Sequence, residues 1–240
     1  MRHLILSAAF LVTLSACTTY QYMTIDSPQL QKNAQNQFSL ENDTLRLTYN
    51  INGKGGLLTV SIYNKTDQPL FVNWKKSALI RNEQTTSLFD NNILVRGRSS
   101  GSAYRNNNIA ASNSNFTAYL AIPDGMDFIP PASSISKELP KIERTGLLEA
   151  YIPDSVQHKK LTEPNGMNYT RYQQLTFTDN DSPIRFKTYI TFSLGHDNNR
   201  EFAETSSFYI GEVCQTQSEP EIFTLYRQQG DQLYVKLKQQ

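Results

Sequence analysis

Cysteine is almost absent from this chain: of 240 residues, only Cys17 and Cys214 carry a thiol. Two cysteines exclude a disulfide scaffold, and without a Cys-x-x-Cys pair they exclude the common structural zinc sites. Histidine is as scarce, with three in all and none at metal-ligand spacing, so we expect no metal and no cofactor. Neither sign of charge is in excess, with 23 basic against 22 acidic residues. The longest basic run is His158-Lys159-Lys160, too little for an electrostatic footprint on nucleic acid. Past the first fourteen positions, no apolar run approaches the ~20 residues of a membrane-spanning helix.

Catalytic patterns are missing as well. We expect neither a nucleophile elbow nor a glycine-rich phosphate loop in a strand-to-helix setting. Glu138 and Glu143 are paired only by proximity in sequence. Asp179-Asn180-Asp181-Ser182 and His196-Asp197-Asn198-Asn199 offer oxygen ligands, but neither has the spacing of a calcium loop, and both read as solvated turns. These absences point away from an enzyme.

What the chain does have is alternation. Leu45, Leu47, Tyr49 and Ile51 share one face and Arg46, Thr48 and Asn50 the other, which is the period of a half-buried strand. Leu58, Val60 and Ile62 repeat the pattern after the turn Asn52–Gly56, and Asn64–Pro69 supplies a polar corner before Leu70–Trp74. A shorter hairpin is predicted from Ala78–Arg81 and Thr86–Phe89. The cleanest strand runs through Ile184, Phe186, Thr188, Ile190, Phe192 and Leu194. Phe202–Val213, Ile222–Tyr226 and Leu233–Leu237 follow, with Cys214 packed as a small hydrophobe.

The fold class expected is therefore all-β: an antiparallel β-sandwich, immunoglobulin-like or related, with long irregular loops. The segment 41–240 makes one domain, or two small sandwiches with a boundary near Pro164. Arg96–Asn115, rich in Gly, Ser and Asn, reads as a mobile loop, and Ile142–Met167 as an irregular connection. The single tryptophan, Trp74, reads first as core. Together with Tyr104 and Tyr119 it is also a candidate sugar-stacking platform.

The N-terminus carries the most specific motif. Arg2 precedes an apolar stretch, Leu4–Leu14, which is long enough for a secretory signal and too short to span a bilayer. Leu14-Ser15-Ala16-Cys17 then resembles the lipobox of bacterial lipoproteins. That resemblance implies a signal peptide over 1–16, cleavage between Ala16 and Cys17, and lipidation of Cys17, with 17–40 as a tether. Two or three acyl chains make release from a membrane negligible. The membrane is then a partner through Cys17.

With the Tyr-x-Tyr start after the lipobox, Ile62–Asp67, Ile129-Pro130-Pro131 and Phe208-Tyr209-Ile210, the chain resembles a group of lipoproteins common in Bacteroidota. The resemblance carries no activity with it. It implies an outer-membrane lipoprotein that binds or assembles with envelope proteins or glycans. Surface-exported lipoproteins of that phylum have acidic residues just after the cysteine, and Thr18–Ile25 has none, which implies a domain facing the periplasm. A surface-exposed glycan binder is the alternative. The O-glycosylation pattern of the phylum matches at Thr44 and Ser155.

Overall fold

The computed structural model describes residues 18–89, 92–105, 108–121, 125–145, 148–163, 166, 168–195 and 200–237. The strands are β1 (Tyr20–Asp26), β2 (Gln31–Lys32), β3 (Phe38–Glu41), β4 (Leu45–Lys54), β5 (Leu57–Asn64), β6 (Leu70–Arg81), β7 (Gln84–Ser87) and β8 (Asn92–Arg105). They continue with β9 (Asn108–Ala121), β10 (Met126–Ile129), β11 (Ser134–Leu139), β12 (Lys159–Thr162), β13 (Tyr169–Thr176), β14 (Arg185–Leu194), β15 (Arg200–Thr216) and β16 (Gln232–Lys236). One turn of 3₁₀ helix, Ile142–Thr145, is the only helix among the described residues.

The protein is all-β and sandwich-like, as the alternation predicts, and its sheet does not close into a barrel. One layer runs β10-β6-β14-β15-β1-β16, with β7, β12 and β13 attached, and the other holds β2, β3, β4, β5 and β11. A short parallel pairing of β16 to β4, Leu233 to Gly53 and Tyr234 to Lys54, joins the layers. Every other pairing is antiparallel.

Between the layers lie the residues that alternation placed inward. Leu45, Leu47, Tyr49 and Ile51 from β4, Leu58, Val60 and Ile62 from β5, and Phe186, Ile190 and Phe192 from β14 are all buried. The rings of Phe38, Tyr49 and Phe186 all pack on Phe208, with centroids 5.1 to 5.3 Å apart. Tyr49 carries a polar group to this depth. Its hydroxyl accepts hydrogen bonds from Thr188 and Ser206 of the opposite layer at 3.1 and 3.2 Å, which offsets the penalty for burying a hydroxyl. Burial raises its pKa above the ordinary value.

The corner after β5 is held by one side chain. Asn64 is fully buried and donates through Nδ2 to the carbonyls of Gln68, Ile129 and Pro130. Its Oδ1 accepts from the backbone N–H and the hydroxyl of Thr66. An asparagine satisfies the turn because its amide offers donors and an acceptor at once.

Several expectations are corrected. The expected tether over 17–40 is not loose where it is described, from residue 18 on: β1 sits in the middle of the first layer, hydrogen-bonded to β15 on one side and β16 on the other, with Met23 and Ile25 in the core. The polar composition of the segment conceals this, because β1 is buried through only a few apolar positions. The segment Arg96–Asn115, read as a mobile loop, is strand where it is described: 96–105 lie in β8 and 108–115 in β9, which pair from Asn92↔Ala121 to Arg105↔Asn108. Ile142–Met167 contains the 3₁₀ turn and β12, and β13, which follows it, pairs with both β12 and β15. The segment around position 164 therefore connects strands of one sheet and does not divide two sandwiches.

Candidate functional site

At the end of the first layer where β1 begins, β13 and the end of β15 flank a polar groove of about 610 Å³. It forms because β15 runs past β14: its first part pairs with β14 and its last part with β13. The changeover occurs at Gly211. There the carbonyl accepts from Phe177, and a Cβ would run into the carboxylate of Asp26. Ser182 bridges the same point, donating to the carbonyls of Ile184 and Ile210.

Thr19, His158, Glu163, Tyr169, Arg171 and Gln173 line the groove, with Gln215–Ser218 along one wall. The wall is ordered by its own hydroxyls: Thr216 donates to the carbonyl of Arg171 at 2.8 Å, and Thr170 and Ser218 share a hydrogen bond of 2.9 Å. Tyr169 is 49% exposed, with the ammonium of Lys160 over its ring at 4.7 Å and the Arg171 guanidinium at 5.7 Å. Arg171 also donates to the Tyr169 hydroxyl, and that bond, with the two positive charges, lowers the tyrosine's pKa. The arrangement offers an aromatic face, cations, the Glu163 carboxylate and many neutral hydrogen-bonding groups. It suits a hydroxylated ligand.

Beneath the groove lies a second aromatic cluster. Tyr22, Tyr172, Phe223, Tyr226 and Cys214 are buried together, with Tyr20 and Tyr234 at the edge. Tyr22 packs on Phe223 at 4.6 Å and donates its hydroxyl to the Ser218 carbonyl. Cys214 is buried as expected, and burial, with Glu212 beside it, pushes its thiol pKa up. Such a thiol does not act as a nucleophile.

The predicted stacking platform loses its tryptophan. Trp74 is fully buried, with its indole N–H on the Asp127 carboxylate at 2.7 Å and Lys137 over its ring, so the ligand reading of Trp74 is corrected to core. Tyr104 and Tyr119 stand on β8 and β9, opposite Ile109 and Leu94. Thr44 is half-buried, its backbone N–H bound to Asn42, and Ser155 is exposed. Ala16 and Cys17 lie outside the described residues, as does the turn 196–199.

Asp181 caps its own turn by accepting from the Thr178 hydroxyl at 2.7 Å. Glu138 and Glu143 are exposed on β11 and the 3₁₀ turn. No group of three metal-binding side chains occurs among the described residues. One elbow-like spacing does exist, Gly97-Arg98-Ser99-Ser100-Gly101, but it lies within β8 and is paired throughout to β9. A nucleophile elbow needs a strand-to-helix turn, and none is here.

The groove residues escape sequence reading because they come from the two flanks of β12, from β13 and from the end of β15 with the residues after it. The one available signal was the polar alternation Tyr169, Arg171, Gln173. No family model, curated protein or solved structure matches the chain. Among the described residues, no helix is long and apolar enough to cross a membrane.

Proposed function

We propose that this protein is a lipid-anchored lipoprotein of the outer membrane, acting without catalysis as a binding or assembly module of the cell envelope. The observation that carries the reading is the place of β1. Only Thr18 and Thr19 stand between Cys17 and Tyr20, where the sheet begins. An acylated Cys17 would therefore hold the sandwich directly against the bilayer, with the groove, which Thr19 lines, at the membrane-facing end. The acid-free stretch Thr18–Ile25 favours a periplasmic orientation.

A second reading, a surface-exposed glycan binder, is favoured by Tyr169 and its flanking cations in the groove. It lacks an aromatic strip: among the described residues, the exposed Phe128, Tyr151, Tyr169 and Tyr189 lie on separate segments, and of these Phe128 alone packs on another ring, that of Phe71.

Metabolic labelling with a palmitate analogue tests the anchor. Wild-type protein takes up the label and Cys17→Ala does not; unlabelled wild type refutes the reading. Protease added to intact cells separates the orientations, since a periplasmic domain survives and a surface domain is digested.

A further inference from the structure

In a two-layer sandwich the positions that face between the layers are apolar, and a polar residue there needs a use. The inward face of the first layer keeps to this rule as far as Met23, Val213 and Leu175, which stand side by side on β1, β15 and β13 and join the main core. One step along the same face, the three positions become Gln21, Gln215 and Gln173. The alternation continues toward the strand ends with Thr19, Gln217, Arg171 and Tyr169. Polar side chains replace the core within two residues.

The second layer stops at this level. β4 ends at Lys54, which pairs with Tyr234, and Tyr234 pairs with Tyr22. Past that point the segment 148–156 covers part of the face, with Leu148, Ala150 and Ile152 in the core, and two of the glutamines fasten it. Gln21, 1% exposed, donates to the Ala150 carbonyl at 2.6 Å and accepts from the Ala150 N–H at 2.9 Å. Gln173 donates to the Val156 carbonyl. The rest of the row is not consumed in this way. Gln215 accepts from Gln21 through Oε1, so its Nε2 donors are available in the groove that it lines, and Arg171 and Gln217 are exposed there.

These groups suit one kind of ligand. A pyranose has an apolar C–H face that packs on an aromatic ring and a rim of hydroxyls that both donate and accept. Tyr169 supplies the ring, half exposed even with Lys160 and Arg171 against it. Arg171 and Gln215 supply donors and the Glu163 carboxylate an acceptor, and that carboxylate stands against an acidic ligand. The other exposed aromatic residues lie on separate segments, so a single sugar can stack and a long chain has no strip to follow.

We propose that the groove is a binding site for one uncharged pyranose, stacked on Tyr169 and hydrogen-bonded by Arg171, Gln215 and Glu163, either at the end of a soluble oligosaccharide or as the headgroup of a glycolipid. Its volume of about 610 Å³ lies within the ~300–1,000 Å³ of small-ligand sites, which leaves room for the residue to which the sugar is attached. This rests on the binding-module reading above and names the ligand of that module. An anchor at Cys17 would bring a headgroup within reach, because Thr19 lines the groove.

For the test, the protein is purified from whichever cell fraction holds it and offered two materials: an array of immobilised neutral, sulfated and sialylated oligosaccharides, and phosphatidylethanolamine vesicles with or without a glucosyl- or galactosyl-diacylglycerol. Binding to neutral sugar on at least one of them, unchanged as salt is raised, is expected. Binding to the array marks a soluble source, and binding to glycolipid vesicles alone marks a headgroup. Tyr169→Ala lowers the affinity about tenfold without moving the melting temperature, Tyr169→Phe retains binding, and Tyr189→Ala, on the exposed face of β14, has no effect. Binding to neither material, binding to acidic glycans only, or a Tyr169→Ala variant that binds as wild type does overturns the proposal. Acylation of Cys17 is read on the same sample: acylated protein that binds no sugar sinks this ligand and leaves the anchor, and unacylated protein that binds sugar does the opposite.

Discussion

Ile190 shows how much one side chain decides. It is fully buried in β14, in the layer that faces Tyr49, and a carboxylate there would have no partner. Ile190→Asp is expected to destabilise the fold by about 3 kcal/mol or more, and urea unfolding should give a midpoint far below that of the wild type. Its cross-strand neighbour Glu204 has the opposite character. Burial raises its pKa, and the hydrogen bond from Asn42 opposes that without overcoming it. With the folded pKa raised, the stability Glu204 contributes is fully present below its ordinary value of 4.5 and is lost as pH rises through the folded value. Glu204→Gln keeps the acceptor for Asn42 and removes the half-buried charge. Thermal melts should show the variant above wild type at pH 7, with the gap closing as pH falls toward 4.

Elements differ in how plainly the sequence announces them. β4, β5 and β14 have one wet and one dry face, and their alternation is legible residue by residue. β1 is flanked by β15 and β16 in a layer whose two faces are unequally covered, so Tyr20-Gln21-Tyr22 reads as polar although Gln21 is buried and paired with the backbone of Ala150. β8 and β9 hide for another reason: Gly, Ser and Asn have low strand propensity, and only pairing along the full length overrides it. The groove was illegible because its walls are long-range neighbours. The hairpin's root makes a prediction at this scale. A Cβ on Gly125 would touch the Phe89 ring, so the two ends of the excursion nearly meet. Replacing residues 92–121 with a short Gly-Ser linker should leave the melting temperature within a few degrees. A collapse of the fold would show that the hairpin is part of the core.

At the scale of the whole molecule, the two layers are joined at one corner by β16 and β4, and the chain's first strand is locked among its last. Lys32 reinforces that closure, bonding Asp26 at 2.6 Å and Asp231 at 2.7 Å. The consequence is mechanical: a chain whose sheet starts at Tyr20 has almost no slack after Cys17, so an acyl anchor there would hold the body of the protein at the membrane. Membrane attachment through Cys17 is the claim on which the rest depends. Mass spectrometry of the N-terminal peptide from the membrane fraction tests it directly. A peptide that begins at Cys17 and carries a thioether-linked diacylglycerol and an acylated amine is expected. An unmodified peptide beginning at any other residue, or an intact Leu4–Leu14 segment on the mature protein, would contradict it.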